Sequence, residues 1–188
     1  HHPRVQIHNE QQTLVACQGQ ANVVQLYDFF EDKLAYFFVF ERLEGGDLLQ
    51  HIKRRQRFTE REACLVARDI VAGLRFLHNR NIVHRDLKPQ NVLCRSKQQA
   101  IPAKICDFNL AYNGNFDGDH SIFFSPVGTL DYMSPEMVLA QIAGEAAPNT
   151  PACDVWGVGV ILYVILSGLH KDEGGGWQEG KGGCEGAW

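Results

Sequence analysis

The side chains that could do chemistry crowd into one octapeptide, His84-Arg85-Asp86-Leu87-Lys88-Pro89-Gln90-Asn91. A second motif, Asp107-Phe108-Asn109, begins sixteen residues after Asn91, and Ser134-Pro135-Glu136 follows later. A carboxylate such as Asp86 can take a proton from a hydroxyl. The amide oxygen of Asn91 and the carboxylate of Asp107 are oxygen donors of the kind Mg²⁺ prefers. The ammonium of Lys88 supplies fixed positive charge close to that carboxylate. Any one of these residues alone reads as a surface turn. The ordered set does not, because several independent spacings would have to agree by accident.

The set resembles the signature of eukaryotic protein kinases: H-R-D-L-x-x-x-N, then D-F-G, then A-P-E. The resemblance implies transfer of a γ-phosphoryl group from ATP, with Mg²⁺, to a protein hydroxyl. It makes Asp86 the proton acceptor, Asn91 and Asp107 the Mg²⁺ ligands, and Lys88 the cation at the γ-phosphate. Lys88 in H-R-D-L-K-P, with Thr129 in G-T-x-x-Y-M-x-P-E, is similar to the Ser/Thr class. Asp154 in D-V-W-G-V-G-V resembles the buried aspartate that holds the catalytic-loop backbone, and a helix N-cap near Pro151 is compatible with that role. Phe40-Glu41-Arg42-Leu43 resembles the hinge, with Phe40 as gatekeeper and backbone groups of Glu41 and Leu43 facing adenine. Leu93 would pack under the adenine ring, and Asp47 would meet the ribose or a basic substrate residue. Each of these hinge-side positions also has a plain core or cap reading. Glu136 resembles a glutamate that pairs with an arginine from later helices, yet no arginine follows Arg95. Glu10 stands where the family has a regulatory glutamate that pairs with a strand lysine. Neither that lysine nor a glycine-rich loop precedes it, so here Glu10 reads as a surface glutamate.

Within the calmodulin-dependent kinase group, the sequence resembles the MAP kinase-interacting kinases. Ala16-Cys17-Gln18-Gly19 with Asn22-Val23, Glu41 to Gly46, and Lys104-Ile105-Cys106-Asp107-Phe108 carry the resemblance, and Gly174 to Gly180 adds to it faintly. It implies upstream MAP kinases, protein substrates that include the mRNA cap-binding initiation factor, signalling toward translation control, and a cytoplasmic and nuclear location. Asn109 departs from the family, which has a second aspartate there. Asn tolerates left-handed backbone, so the expectation is a resting state with Phe108 in the nucleotide pocket. Ser125-Pro126 aligns with a family Thr-Pro, and a phosphate there could pair with Arg85 and order the loop. The alternative function is a truncated, catalytically inactive kinase fragment acting as a binding or regulatory module.

The elements that must position these groups are readable in part. Residues 5–17 could form a Gln-rich, weakly patterned helix. Val23 to Phe30 and Leu34 to Phe40 suggest an antiparallel pair, and Asp47 can cap a short helix to about Arg55. Thr59 and Glu62 form a capping box ahead of Ala63, Val66, Ala67, Ile70, Leu74 and Leu77, which recur at helical spacing to Asn79. Short strands are expected near 92–94 and 103–106, a long irregular segment over 107–135, and a buried helix over 151–166. The expected fold is α+β, protein kinase-like and incomplete. It comprises the end of the small lobe (1–43), most of a mainly helical large lobe (44–169), and a disordered Gly-rich tail (170–188). Losing later helices would uncover an apolar face of the last helix.

The 188-residue chain carries a net charge of −4, which argues against direct nucleic-acid binding. The basic cluster Lys53, Arg54, Arg55, Arg57 reads as the solvated end of a helix. Six scattered cysteines without a C-x-x-C pair read as reduced thiols. The longest apolar run is too short to cross a bilayer, so no membrane partner is expected. Asn113-x-Asn115-x-Asp117-Gly118 looks like the start of a calcium loop, but Phe124 stands where a glutamate ligand belongs.

Overall fold

The computed structural model describes residues 3–55, 57–116, 118, 125–147, 149–171 and 177–178. The first helix, α1 (Pro3–Ala16), is followed by the hairpin β1 (Leu26–Glu31) and β2 (Tyr36–Phe40), with Phe29 opposite Phe38. Next come α2 (Leu48–Arg55) and α3 (Glu60–His78). Four two-residue strands pair in a nested order. β3 (Ile82–Val83) joins β6 (Tyr112–Asn113), and β4 (Val92–Leu93) joins β5 (Lys104–Ile105). Helices α4 (Pro135–Ala143) and α5 (Pro151–Ser167) follow, then a small pair, β7 (His170–Lys171) with β8 (Trp177–Gln178).

The scaffold is α3 packed on α5. The α3 face of Ala63, Val66, Ile70, Leu74 and Leu77 is buried, as its spacing predicts, together with Ile161, Val164 and Ile165 of α5. Both halves of the capping box form: Thr59 Oγ1 accepts from the Glu62 N–H at 3.3 Å, and the Glu62 carboxylate accepts from the Thr59 N–H at 2.9 Å. Gly73 lets the chain before β1 lie against α3, because a Cβ there would sit 2.9 Å from Asn22 O. That contact brings Val24 N–H onto Ile105 O at 2.9 Å, so the hairpin side and the catalytic side share one core.

One expectation about a helix needs correction, and one helix was not foreseen. The 151–166 segment is helical but not wholly buried. Val155, Trp156, Tyr163 and Leu166 are exposed on α5, while Val158, Ile161 and Val164 are buried. Helix α4 begins inside the Ser134-Pro135-Glu136 motif and has no strong apolar period to announce it. Pro135 at its first position and Gly144 in left-handed geometry at its end delimit it. Most of the tail expected to be disordered lies outside the described residues.

Thr59→Ala removes the hydroxyl half of the cap and leaves the Thr59 N–H bonded to the Glu62 carboxylate. The expected loss is about 1 kcal/mol of stability by urea denaturation, whereas an exposed change such as Arg61→Ala should cost far less.

Candidate active site

The site is built outward from Asp154, in the first turn of α5 and 1% exposed. Its carboxylate accepts the backbone N–H of His84 at 2.9 Å on Oδ2 and that of Arg85 at 2.9 Å on Oδ1. His78 Nε2, at the end of α3, lies 2.8 Å from Oδ2. Arg85 is thereby held at φ 66°, a left-handed conformation that few non-glycine residues adopt.

Asp86 is 6% exposed and fully engaged. Lys88 Nζ donates to its Oδ2 at 2.6 Å, and Asn91 Nδ2 donates to its backbone O at 2.9 Å and to Oδ2 at 3.2 Å. The Thr129 N–H and hydroxyl both donate to Oδ1 at 2.8 Å. Lys88 also donates to Thr129 Oγ1 at 2.7 Å. Gly128, at φ 123°, makes this possible, since a Cβ there would meet Arg85 O at 2.7 Å. Because Asn91 Nδ2 is committed to Asp86, the amide oxygen is the atom Asn91 retains for a cation.

Cys106 N–H donates to Asn91 O at 3.0 Å, which sets Asp107 beside the Asp86–Asn91 loop. Asp107 is exposed, with φ 63°. An oxygen-only pair, Asn91 and Asp107, fits the preference of Mg²⁺. Asp86 N–H donates to His84 Nδ1 at 3.3 Å, so His84 carries its proton on Nε2 and donates it to Cys106 O at 2.9 Å.

Phe108 does not enter a nucleotide pocket, contrary to the expectation drawn from Asn109. Its ring is fully buried in the main core, edge-on to His84 with centroids 5.2 Å apart. Asn109 is exposed, and the left-handed residue of this turn is Asp107. Burial of a whole phenyl ring, about 2 kcal/mol or more, outweighs any local preference of an exposed asparagine.

Glu10 also requires correction. It is partly buried, and its carboxylate accepts a hydrogen bond from the Phe108 backbone. Burial and then the negative charge of Asp107 push its carboxyl up to about 7, against the lowering by that hydrogen bond. Two further α1 residues were not singled out in the sequence. Asn9 Nδ2 donates to Ala111 O at 2.8 Å, and Thr13 Oγ1 accepts from Asn113 Nδ2 at 3.2 Å. The buried face of α1 is therefore largely polar, which is why it lacks an apolar period.

The hinge-side residues lie apart from this cluster. Glu41 N–H donates to Gln25 O at 2.9 Å, and its carboxylate accepts from Lys104 Nζ at 2.6 Å and Gln25 N–H at 2.8 Å. Lys104 was read only as part of a motif, and its pairing with Glu41 was not foreseen. Phe40 ends β2, stacked on Phe38 with centroids 6.0 Å apart. Leu43 packs against the core, and Leu93 bridges Asp47 across the strand edge. Asp47 caps α2 through Gln50 N–H at 2.7 Å, so its carboxylate serves the helix. Arg85 is buried, and burial pushes its guanidinium down to about 10. It donates to Leu110 O at 2.7 Å and Asn149 Oδ1 at 2.9 Å. Ser125 is exposed, whereas the Ser134 of the other Ser-Pro pair nearby is 1% exposed. Glu136 makes no ion pair among the described residues and lines an apolar groove of about 600 Å³ with Val155, Trp156 and Tyr163 of α5.

A model of the protein kinase domain matches residues 2–174, and the chain belongs to that family. Over 190 residues it is 43% identical to the MAP kinase-interacting serine/threonine-protein kinase 2 of Xenopus laevis, covering 96% of this chain and 40% of that protein. It is 40% identical to the MAP kinase-interacting kinase mnk-1 of Caenorhabditis elegans, across 96% of this chain and 27% of that protein. Ribosomal protein S6 kinase alpha-4 of Mus musculus is 37% identical over 88% of the chain and 21% of its own length. The chain is thus a protein kinase domain of the serine/threonine type, similar to MAP kinase-interacting kinases, and spans less than half the length of these relatives.

The raised Glu10 carboxyl has a definite consequence. The fold prefers the protonated acid, so stability falls as pH rises from the ordinary value of 4.5 through about 7. Glu10→Gln removes that ionisation. Relative to the unchanged chain, the variant should gain stability in urea titrations at about pH 8 and little at about pH 4; a difference that does not vary with pH would contradict the placement of Glu10.

Proposed function

We propose that this protein is an ATP- and Mg²⁺-dependent serine/threonine protein kinase, regulated by MAP kinases and acting toward translation control. The observation that carries the reading is the convergence on Asp86 of Lys88 at 2.6 Å and Asn91 at 3.2 Å, with Asp107 tied alongside through Cys106.

Asp86 takes the proton of the acceptor Ser or Thr hydroxyl as that oxygen bonds to the γ-phosphorus of ATP. The bond from that phosphorus to the ADP oxygen breaks, giving a phosphoester and ADP. Lys88 neutralises charge at the transferring group while holding the Asp86 carboxylate in place. Asn91 and Asp107 would hold Mg²⁺, which when bound screens the phosphate charges. Glu41 and Leu43 offer backbone groups to adenine beside Phe40 and Leu93. The substrate class includes the mRNA cap-binding initiation factor, as the sequence resemblance to the MAP kinase-interacting kinases implies. A cytoplasmic and nuclear location suits that role. Ser125 serves as the site of MAP kinase phosphorylation, with Arg85 as the cation that receives the phosphate.

A second reading, a binding module without catalysis, draws on two observations. Among the described residues Glu10 has no cation partner, and the groove beside Glu136 is open and apolar.

Two measurements test the proposal. The full-length protein should phosphorylate a Ser/Thr substrate with ATP and Mg²⁺, and Asp86→Ala should lower the rate by at least about 100-fold. Equal rates would reject Asp86 as the proton acceptor, and no activity in either protein would favour the binding module. After treatment with an active MAP kinase, mass spectrometry should place phosphate on Ser125; phosphate at other positions alone would reject that site.

A further inference from the structure

Outside the Asp86 cluster, a cleft of about 410 Å³ opens between α2, α3 and the turn that joins β4 to β5. Its floor is apolar: Phe58 is 3% exposed, Val66 1% and Ala100 5%. Its walls carry three guanidinium groups, Arg55, Arg68 and Arg95.

The two acids of the cleft are already committed to the scaffold. Glu62 is locked into the α3 cap, and hydrogen bonds from the Thr59 backbone and hydroxyl, more than the nearby Arg55, hold its carboxyl below the usual range. Asp69 is 6% exposed and accepts the Ala103 N–H at 3.0 Å. Arg55 is fixed as a wall by Glu62 at 3.1 Å, by Gln98 O, and by lying over the Phe58 ring, 5.4 Å from its centroid. Arg68 touches Asp69 at 3.2 Å, yet its side chain remains 65% exposed. Arg95 is exposed and forms no ion pair with a carboxylate among the described residues. This cationic patch stands on a chain whose net charge is −4.

We propose that this cleft docks an acidic peptide segment of a partner protein, with one apolar side chain seated on the Phe58–Val66 floor. Arginine forks bind carboxylates through paired hydrogen bonds and remain charged at all working pH values. The volume suits one or two side chains, and the apolar floor between cationic walls matches a hydrophobic residue flanked by Asp or Glu. The local field favours an acidic partner and rejects a basic one. None of the residues lining the cleft belongs to the Asp86 cluster or the hinge, so docking here leaves the proposed chemistry free.

The test is fluorescence anisotropy of a short fluorescein-labelled Asp/Glu-rich peptide with one central leucine, titrated with the full chain. Saturable binding is expected, weakened about tenfold by Arg68→Glu combined with Arg95→Glu, and weakened also when serine replaces the leucine. Both arginines are exposed, so the circular dichroism of the double variant should match that of the unchanged chain. Arg95→Gln alone should give a smaller loss in the same direction. Absence of saturable binding, equal affinity in the charge-reversed variant, or complete displacement by inorganic phosphate would each overturn the proposal.

Discussion

One buried carboxylate organises the catalytic half of this domain. An aspartate sealed from water is costly unless its oxygens are well satisfied, and an uncompensated one loses roughly 3–5 kcal/mol. Asp154 meets that demand with two consecutive backbone N–H groups, from His84 and Arg85, and with the His78 ring. The same bonds stabilise the left-handed backbone at Arg85, a geometry that costs about 1–3 kcal/mol elsewhere. The position of the reactive loop is thus set from the central helix and not by the loop's own sequence.

From that anchor the order propagates by short hydrogen bonds. His84 fixes Cys106 through its carbonyl, and Cys106 returns a bond to Asn91, so two chain segments hold each other in register. Phe108 seals the arrangement from below, and Thr129 closes over Asp86 from the activation segment. Helix α1 is docked onto this segment by polar groups, Asn9 and Thr13, with Glu10 placed against the Phe108 backbone. A helix held by hydrogen bonds and a raised carboxyl is one whose position responds to charge, in contrast to α3, whose buried face is mainly apolar.

The legible features were those written in one stretch of chain. The α3 helix showed its capping box and apolar spacing, and the aromatic runs of the hairpin paired as expected, β1 beginning three residues later than the run suggested. The order of motifs around Asp86 was readable because each residue type has a chemical reason. What stayed hidden depends on distant partners. Nothing local marks Asn9 or Thr13 as buried, because their partners, at Ala111 and Asn113, lie about a hundred residues away. The surface reading of Glu10 failed for the same reason. The error at Phe108 came from weighing the local freedom of Asn109 over the burial of an aromatic ring. Helix α4 lacked a periodic signal, since its buried face is only Met137 and Ala140.

The most direct test of the Asp154 anchor is amide hydrogen exchange at His84 and Arg85, read by NMR in the unchanged chain and in Asp154→Ala. Both amides should exchange as slowly as the α3 core, and the substitution should release them together while the α3 amides stay protected. Exchange at loop-like rates in the unchanged chain, or protection that survives the substitution, would contradict the claim that this carboxylate builds the catalytic loop.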